Sequence, residues 1–348
     1  MGIQPRWKEP EYTKREINQA GEIIRNPDST DEEIKKARMI IDNWRASHAY
    51  PLHVFYMNLR SKAGNRHDII VAERLKRLDS IIDKLSREHT MELYRMQDLG
   101  GCRMVLPSLR EVYTYSEMLK NSKIRHIPKN PKDYINKPKL SGYRSLHHIY
   151  KFRTESAEKS IFNEYPMLIE IQFRTHLQHV WATAVESFGV FSNQSLKSGK
   201  GDEDVRRFFA LVSSLFALSE GTPTVPGTPE NQIALIEEIK QLNNTHHILD
   251  RLRAIRTIID HETDQIPDKK GYYILQLDYR THRLRRIYFK PGEAEQANSV
   301  YEQLEAGKDT DQDIVLVRAA SFSIVKAAYP NYFMDIGEFV ELITEYFQ

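Results

Sequence analysis

The segment Met167-Leu-Ile-Glu-Ile-Gln-Phe-Arg-Thr175 does more than any other to constrain what this 348-residue chain can fold into. Strand side chains alternate between faces. Met167, Ile169, Ile171 and Phe173 therefore point one way, and Glu170, Gln172 and Arg174 point the other. A row of carboxylate, amide and guanidinium is costly to bury without partners. The pattern predicts a polar cleft over an apolar core; the other reading is an exposed sheet face with an ordinary ion pair. Such a strand needs neighbours. Cys102 to Leu106, stopped by Pro107, reads as one, and Tyr143 to Phe152 as another. Helices are expected at Leu109–Leu119, 176–188 and 203–219, with a loop from Ile124 to Gly142 rich in Lys, Pro, Asn and Gly.

The first ~95 residues read as helical. Asp28-Ser-Thr-Asp-Glu-Glu33 is a helix start, followed by Ile34, Ala37, Ile40 and Ile41 at helical spacing. A second helix is expected from Asp68 to Glu88, carrying Ile69, Ala72, Leu75, Ile82 and Leu85. The clearest break is Glu220-Gly-Thr-Pro-Thr-Val-Pro-Gly-Thr-Pro229, whose prolines and glycines suit neither a helix interior nor a central strand. Helical spacing resumes at Ile233, Ile236, Ile239 and Leu242, and at Ile248, Leu252, Ile255 and Ile259. The tail changes character: a hairpin at Tyr272–Tyr279 and Arg285–Lys290, a helix at 291–306, a strand at 313–319, and helices near 321–328 and 335–347. The expected class is α+β, a mixed sheet flanked by helices, in three parts: 1–220, a connecting stretch 221–265, and a small ββαβ-like unit 266–348.

Charge divides along the same line. Through residue 200 there are 34 Lys and Arg against 24 Asp and Glu; beyond it 16 stand against 24, so a net +10 precedes a net −8. That suggests a phosphate-handling part with a covalent counterweight, or else chance surface composition. A single cysteine, Cys102, excludes an internal disulfide and a Cys-based zinc finger. No apolar run approaches the ~20 residues of a membrane span. Met1 to Glu16 is polar, with no signal-type apolar stretch. The expected address is the cytoplasm, with no membrane partner.

Three further segments carry chemistry. Asp98-Leu-Gly-Gly-Cys-Arg103 puts a carboxylate before a strand, with glycines that permit close backbone approach. That suits a Mg²⁺ ligand near a nucleotide, though Asp before Gly-Gly is also a plain turn. Arg74, Lys76, Ser80 and Lys84 put cations and a hydroxyl in a row where 76, 80 and 84 would stack on one helix face. Such a row can hold a triphosphate, or it is a solvated basic face. Lys132-Asp-Tyr-Ile-Asn-Lys-Pro-Lys-Leu-Ser-Gly-Tyr-Arg-Ser-Leu-His147 combines cations with an aromatic. A base can stack on Tyr143 while Lys139, Arg144 and His147 meet phosphates, or Tyr143 is a packing residue.

In this order and spacing, the four segments resemble the RelA/SpoT-type synthetase domain of alarmone synthetases over roughly residues 40–220. That family moves the β,γ-pyrophosphate of ATP to a ribose 3′-hydroxyl. The resemblance implies that Arg74, Lys76, Ser80, Lys84 and Arg103 hold ATP and that Asp98 and Glu170 hold Mg²⁺. Glu170 would also polarise the attacking hydroxyl. Tyr143 would stack on the acceptor base, beside Lys139, Arg144, His147, Gln172 and Arg174. Two departures matter: Ser141 stands where alarmone makers usually carry Asn, and Gln178-His179-Val-Trp181-Ala-Thr-Ala-Val-Glu186 replaces their usual Met-His and Ala-Ala-His-Trp. This version resembles the toxic small alarmone synthetases, which pyrophosphorylate the 3′-CCA end of tRNA; the departures put GDP or GTP in doubt as acceptor. His67-Asp68 invites a metal-dependent hydrolase reading, but that site needs further His and Asp ligands on a separate helical domain.

The tail, by its domain order and Tyr329-Pro-Asn-Tyr332-Phe333, resembles the pseudo-zinc-finger domain, without zinc, of the CapRel family of fused toxin–antitoxin proteins. In that family a Tyr-x-x-Tyr segment closes the ATP site of the same chain, and a phage capsid protein is the trigger. Two tyrosines around a turn are also ordinary core packing. A tethered inhibitor works at an effective concentration on the order of mM, so weak contacts suffice to close a site. Residues near Leu275–Tyr279 and Phe333–Phe347 are candidate contacts for the trigger. Lys14, Arg15, Lys35, Lys36, Lys151 and Arg153 are candidate tRNA contacts.

Overall fold

A computed structural model describes residues 7–191, 202–257, 266–278, 281, 283–307, 312–333 and 336–348. Residues 1–6 of the polar N-terminal stretch, Ile259, Tyr279, residues 258–265 of the expected connector and residues 334–335 lie outside them. The chain opens with helices α1 (Lys14–Arg25), α2 (Asp31–Ala46) and α3 (Ala49–Ala63). Thr13 and Thr30 start the first two with full capping boxes, each paired with a glutamate three residues on.

Then follow strand β1 (Ile70–Leu75), α4 (Leu78–Arg87), β2 (Gly100–Leu106) and α5 (Leu109–Lys120). The short β3 (Ile127–Pro128) and β4 (Lys132–Asp133) precede β5 (Leu146–Lys151), α6 (Ile161–Glu164) and β6 (Leu168–Thr175). Next come α7 (His176–Phe191), α8 (Glu203–Ser219), α9 (Gln232–His246) and α10 (Ile248–Thr257). The tail supplies β7 (Gly271–Asp278), β8 (Arg283–Phe289), α11 (Ala294–Ala306), β9 (Gln312–Ala319), α12 (Phe322–Ala328) and α13 (Gly337–Glu345). Among the described residues, no helix is long and apolar enough to cross a membrane.

The expected mixed sheet flanked by helices is present. It has nine strands in the order β3-β5-β6-β2-β1-β9-β7-β8, with β4 also on β5. β2 and β6 run parallel, and the other paired neighbours are antiparallel. The tail's strands are continuous with this sheet. β9 joins β1 through two residue pairs, Glu73↔Arg318 and Arg74↔Val317.

One expectation is corrected. The helix predicted over Asp68–Glu88 is a strand followed by a shorter helix, so Arg74 and Lys76 do not lie on one helix with Ser80 and Lys84. The physical reason is non-local. β1 pairs with β2 along all six residues and meets β9 on its other edge, and ladder bonds on both sides override local helix preference. The loop expected from Ile124 to Gly142 also contains the two-residue strands β3 and β4.

Packing puts apolar layers on both sides of the sheet. Ile169, Ile171 and Phe173 of β6 are fully buried, in one cluster with Leu52, Phe55 and Leu59 of α3. A second cluster joins α7, α8 and α13 to the tail and contains Trp181, Phe209, Phe339, Tyr329, Tyr332 and Phe333. The Pro/Gly segment after Ser219 is irregular, as expected, but it is not loose. Val225 is buried, and its N–H donates to Ser214 Oγ at 2.9 Å.

Candidate active site

Asp98 is the first centre. It lies just before β2, and its two oxygens accept from Lys76 Nζ at 2.9 Å and Lys84 Nζ at 3.0 Å. Lys76 sits at the corner between β1 and α4, its N–H held by Leu99 O at 2.8 Å. Lys84 comes from α4, one turn after the half-buried Ser80. Burial would raise the Asp98 pKa, but the two ammonium groups outweigh it and hold the carboxyl well below the usual range. Asp98 is therefore a carboxylate at any physiological pH.

The second centre is the polar row of β6. Antiparallel pairing of β5 with β6 sets His147 opposite Gln172. His147 Nδ1 contacts Glu170 Oε1 at 2.9 Å, and its Nε2 contacts the Tyr143 hydroxyl at 2.7 Å. Arg174 donates to the same hydroxyl at 2.7 Å and to Gln172 Oε1 at 2.8 Å; Gln172 donates to Glu170 Oε2 at 2.7 Å. Glu170, Gln172, Arg174, Tyr143 and His147 thus close into one ring of hydrogen bonds. Burial disfavours ionisation of Tyr143, yet Arg174 and His147 bring its pKa down to about 7. Burial opposes the His147 imidazolium, but Tyr143 and Glu170 raise its pKa. For Glu170, burial raises the pKa and His147 lowers it by more.

Tyr134, quoted in the loop but not singled out from sequence, completes an aromatic box. Its ring lies 5.2 Å from His147 and 6.0 Å from Tyr143. Lys139 Nζ stands 4.4 Å over Tyr134 and 5.3 Å over Tyr143. The loop reaches this position through Gly142, whose φ is +88°. A Cβ there would lie 2.6 Å from Trp181 Cζ2, so α7 and the loop approach more closely than any side chain permits.

The two centres share a cleft lined by Arg74, Lys76, Asp98, Gly101, Arg103, Glu170, Gln172 and Tyr329, with about 70 Å³ of space. Ligand sites usually offer about 300 Å³ or more. Tyr329 forms one wall of it. Its ring is 6.0 Å from the Arg74 guanidinium and 5.9 Å from that of Arg103, and it is 3% exposed. Tyr332 and Phe333 pack below it, buried, and Arg77 pairs with Asp313 and reaches the Tyr332 hydroxyl at 3.4 Å. Neither Arg77 nor Asp313 was singled out from sequence.

Other candidates lie elsewhere. Arg144 is turned away from the ring. It is buried against Glu220 at 2.7 Å and Thr222, and it ties the Pro/Gly segment to β5. Lys14, Arg15, Lys35 and Lys36 are exposed on α1 and α2. Lys151 ends β5, and Arg153 donates to Asn163 O at 2.7 Å. None of these six borders the cleft. Among the described residues, no three His, Cys, Asp or Glu side chains form a metal-binding group. Asp98 and Glu170 are two hard oxygen donors on one cleft, the kind Mg²⁺ takes when phosphates and water complete its shell.

Residues 73–194 match the family described as the region found in RelA and SpoT proteins. That RelA/SpoT-type region carries Asp98, the β6 row and the Tyr143 loop. The chain is 35% identical over 121 residues to GTP pyrophosphokinase YjbM of Bacillus subtilis strain 168, covering 34% of this chain and 54% of that one. It is 34% identical over 115 residues to GTP pyrophosphokinase YwaC of the same organism, covering 32% and 52%. The chain thus spans about half the length of these curated relatives. Among solved structures, small alarmone synthetase 1 from Bacillus subtilis bound to its product pppGpp superposes with a TM-score of 0.42 at 24% identity, over 50% of this chain and 89% of that one.

Proposed function

We propose that the chain is an ATP-dependent pyrophosphokinase whose acceptor is the ribose 3′-hydroxyl of the tRNA CCA end, and that its own C-terminal segment holds it shut. The observation that carries the activity is the shared cleft of Asp98, clasped by Lys76 and Lys84, and Glu170, tied through His147 to Tyr143. In this reading the acceptor oxygen attacks the β-phosphorus of ATP, the bond to the α-phosphate oxygen breaks, AMP leaves, and the hydroxyl proton passes towards Glu170. Transfer of this kind needs charge neutralisation and in-line positioning rather than a covalent intermediate. Arg74, Lys76, Lys84 and Arg103 supply positive charge for the triphosphate. Asp98 and Glu170 would hold Mg²⁺, which when bound neutralises phosphate charge. Tyr143 offers a ring face for the acceptor base.

Support for closure comes from Tyr329, which lines the cleft with Arg74 and Arg103, both guanidiniums within cation–π reach of its ring. A trigger that binds only the open form shifts the population; a phage capsid protein is the proposed trigger. Lys14, Arg15, Lys35, Lys36, Lys151 and Arg153 are the proposed tRNA contacts, and binding through them weakens as salt rises. A second reading has a specific basis: the relatives YjbM and YwaC are named GTP pyrophosphokinases, which favours GDP or GTP as acceptor. One experiment separates the two. The chain opened by Tyr329→Ala with Tyr332→Ala is given ATP labelled in its β- or γ-phosphate, with deacylated tRNA and GDP together. Label at the tRNA 3′ end is expected. Label only on guanine nucleotide establishes the second reading, and label on neither refutes both.

A further inference from the structure

His179 has no part in the chemistry above, yet it is 3% exposed beside the buried Arg174 and the half-buried Arg103. It comes from the first turns of α7, and its Nε2 lies 2.8 Å from Ala327 O. A carbonyl only accepts, so Nε2 carries the proton and donates. Arg103 Nη1 donates to the adjacent Ala328 O at 3.1 Å. These two carbonyls end α12, where the last C=O groups lack intrahelical partners and carry the negative pole of the helix. Two donors from different elements, β2 and α7, therefore converge on neighbouring oxygens that bear partial negative charge.

The donors are not used up. Among the described residues, Arg103 Nε and Arg174 Nε are buried donors without a hydrogen-bond partner, and His179 Nδ1, the acceptor nitrogen of this tautomer, is buried without one as well. Burial, Arg174 and Arg74 press the Arg103 pKa down to about 9, with Tyr329 and Glu186 opposing. Burial first, then Arg103, pushes the His179 pKa well below its usual value. Buried guanidinium and imidazole nitrogens left unpaired are costly, and such groups ordinarily have a partner.

We propose that Arg103, Arg174 and His179 form a phosphate-binding subsite, and that the Ala327 and Ala328 carbonyls stand in for phosphate oxygens when the chain is closed. Phosphate and α12 then compete for the same N–H groups, so binding one expels the other. Whether the phosphate belongs to the nucleotide donor or to the polynucleotide acceptor rests on the pyrophosphokinase reading, and the competition with α12 rests on the closure proposed above; the subsite itself rests on neither.

His179→Leu gives the test its signature, because it should act unequally in the two states. Binding of inorganic triphosphate is measured by calorimetry on the full chain and on the chain opened by Tyr329→Ala with Tyr332→Ala. In the open chain His179→Leu should weaken binding about tenfold, the loss of one charge-assisted hydrogen bond. In the parent chain the loss should be several-fold smaller, since α12 also loses its hold on Ala327 and the open fraction rises. A packing defect would weaken binding by the same factor in both states, and that result, or no change in the open chain, overturns the proposal. His179→Asn, whose amide is too short to reach, carries the same expectation if the leucine chain does not fold. Repeating the open-chain measurement with ATP, the dinucleotide CpA and adenosine identifies the bearer. A loss confined to ATP assigns the donor, a loss for CpA but not adenosine assigns the acceptor, and no loss for either overturns the subsite. Triphosphate binding with this unequal loss, but no labelled acceptor in any state, would leave the subsite standing and sink the pyrophosphokinase reading.

Discussion

Tyr329→Ala tests whether the tail restrains the cleft. In the structure the ring is 3% exposed, with the Arg74 and Arg103 guanidiniums 6.0 and 5.9 Å from its centroid. Truncating a buried aromatic costs about 3–5 kcal/mol, and each partly desolvated cation–π contact adds about 0.5–2 kcal/mol. The open state, where the ring is in water, loses almost none of this. Even the lower figure of about 3 kcal/mol shifts the closed-to-open ratio by about 100-fold. With no trigger present, ATP affinity and 3′-end labelling should therefore rise by up to that factor, limited by how much of the parent chain is already open. Tyr329→Phe keeps both ring faces and should remain shut. The measurements are calorimetric ATP binding and initial labelling rate, alongside thermal melting to show that the variant is folded. A folded Tyr329→Ala, Tyr332→Ala chain with the parent's ATP affinity and labelling rate would refute the restraint.

Three further outcomes are expected. Asp98→Asn leaves Lys76 and Lys84 facing each other without an anion; labelling should be lost at every Mg²⁺ concentration, while ATP binding without metal persists in the opened chain. Gly142→Ala forces a Cβ to 2.6 Å from Trp181 at a φ of +88°, so the urea midpoint should fall by the equivalent of about 1–3 kcal/mol, and KM for the acceptor should rise before kcat drops. Tyr143 has a folded-state pKa lowered to about 7, so its ionised form contributes stability that is complete above the unfolded value near 10 and lost as pH falls through 7. A tyrosinate absorbance step near pH 7, absent from Tyr143→Phe, is the expected signature; no tyrosine titrating below pH 9 would contradict it.

Much of this was legible because it is local. The alternation of β6 separates Ile169, Ile171 and Phe173 from Glu170, Gln172 and Arg174, and the structure keeps that division. The hairpin, helix, strand and helix of the tail likewise appear in the predicted order. What was illegible is non-local. Val71-Ala-Glu-Arg-Leu-Lys reads as helix because its residues favour helix, and only pairing with β2 and with β9, some 240 residues away, makes it a strand. Arg144 belongs by sequence to a phosphate-facing loop, but Glu220, 76 residues on, claims it. The Arg77–Asp313 pair spans a still longer separation, and no spacing rule announces it. His179 looked like a variant letter in a motif until Ala327 was seen beside it.

The place of the tail in the chain has a consequence for synthesis. Domains fold as they emerge, at about 5–20 residues per second. Arg74, Asp98 and Glu170 leave the ribosome some 160 residues before Tyr329, which is about 8–30 seconds at that rate. Every newly made molecule therefore passes through an interval in which the cleft has its charged residues but not Tyr329, and the outer edge of β1 waits for β9. The polar pair Glu73 and Arg74 on that edge is suited to keeping it from pairing with another chain. A message cut short after β6 would make that interval permanent, so under the proposed closure, restraint depends on the ribosome reaching Tyr329.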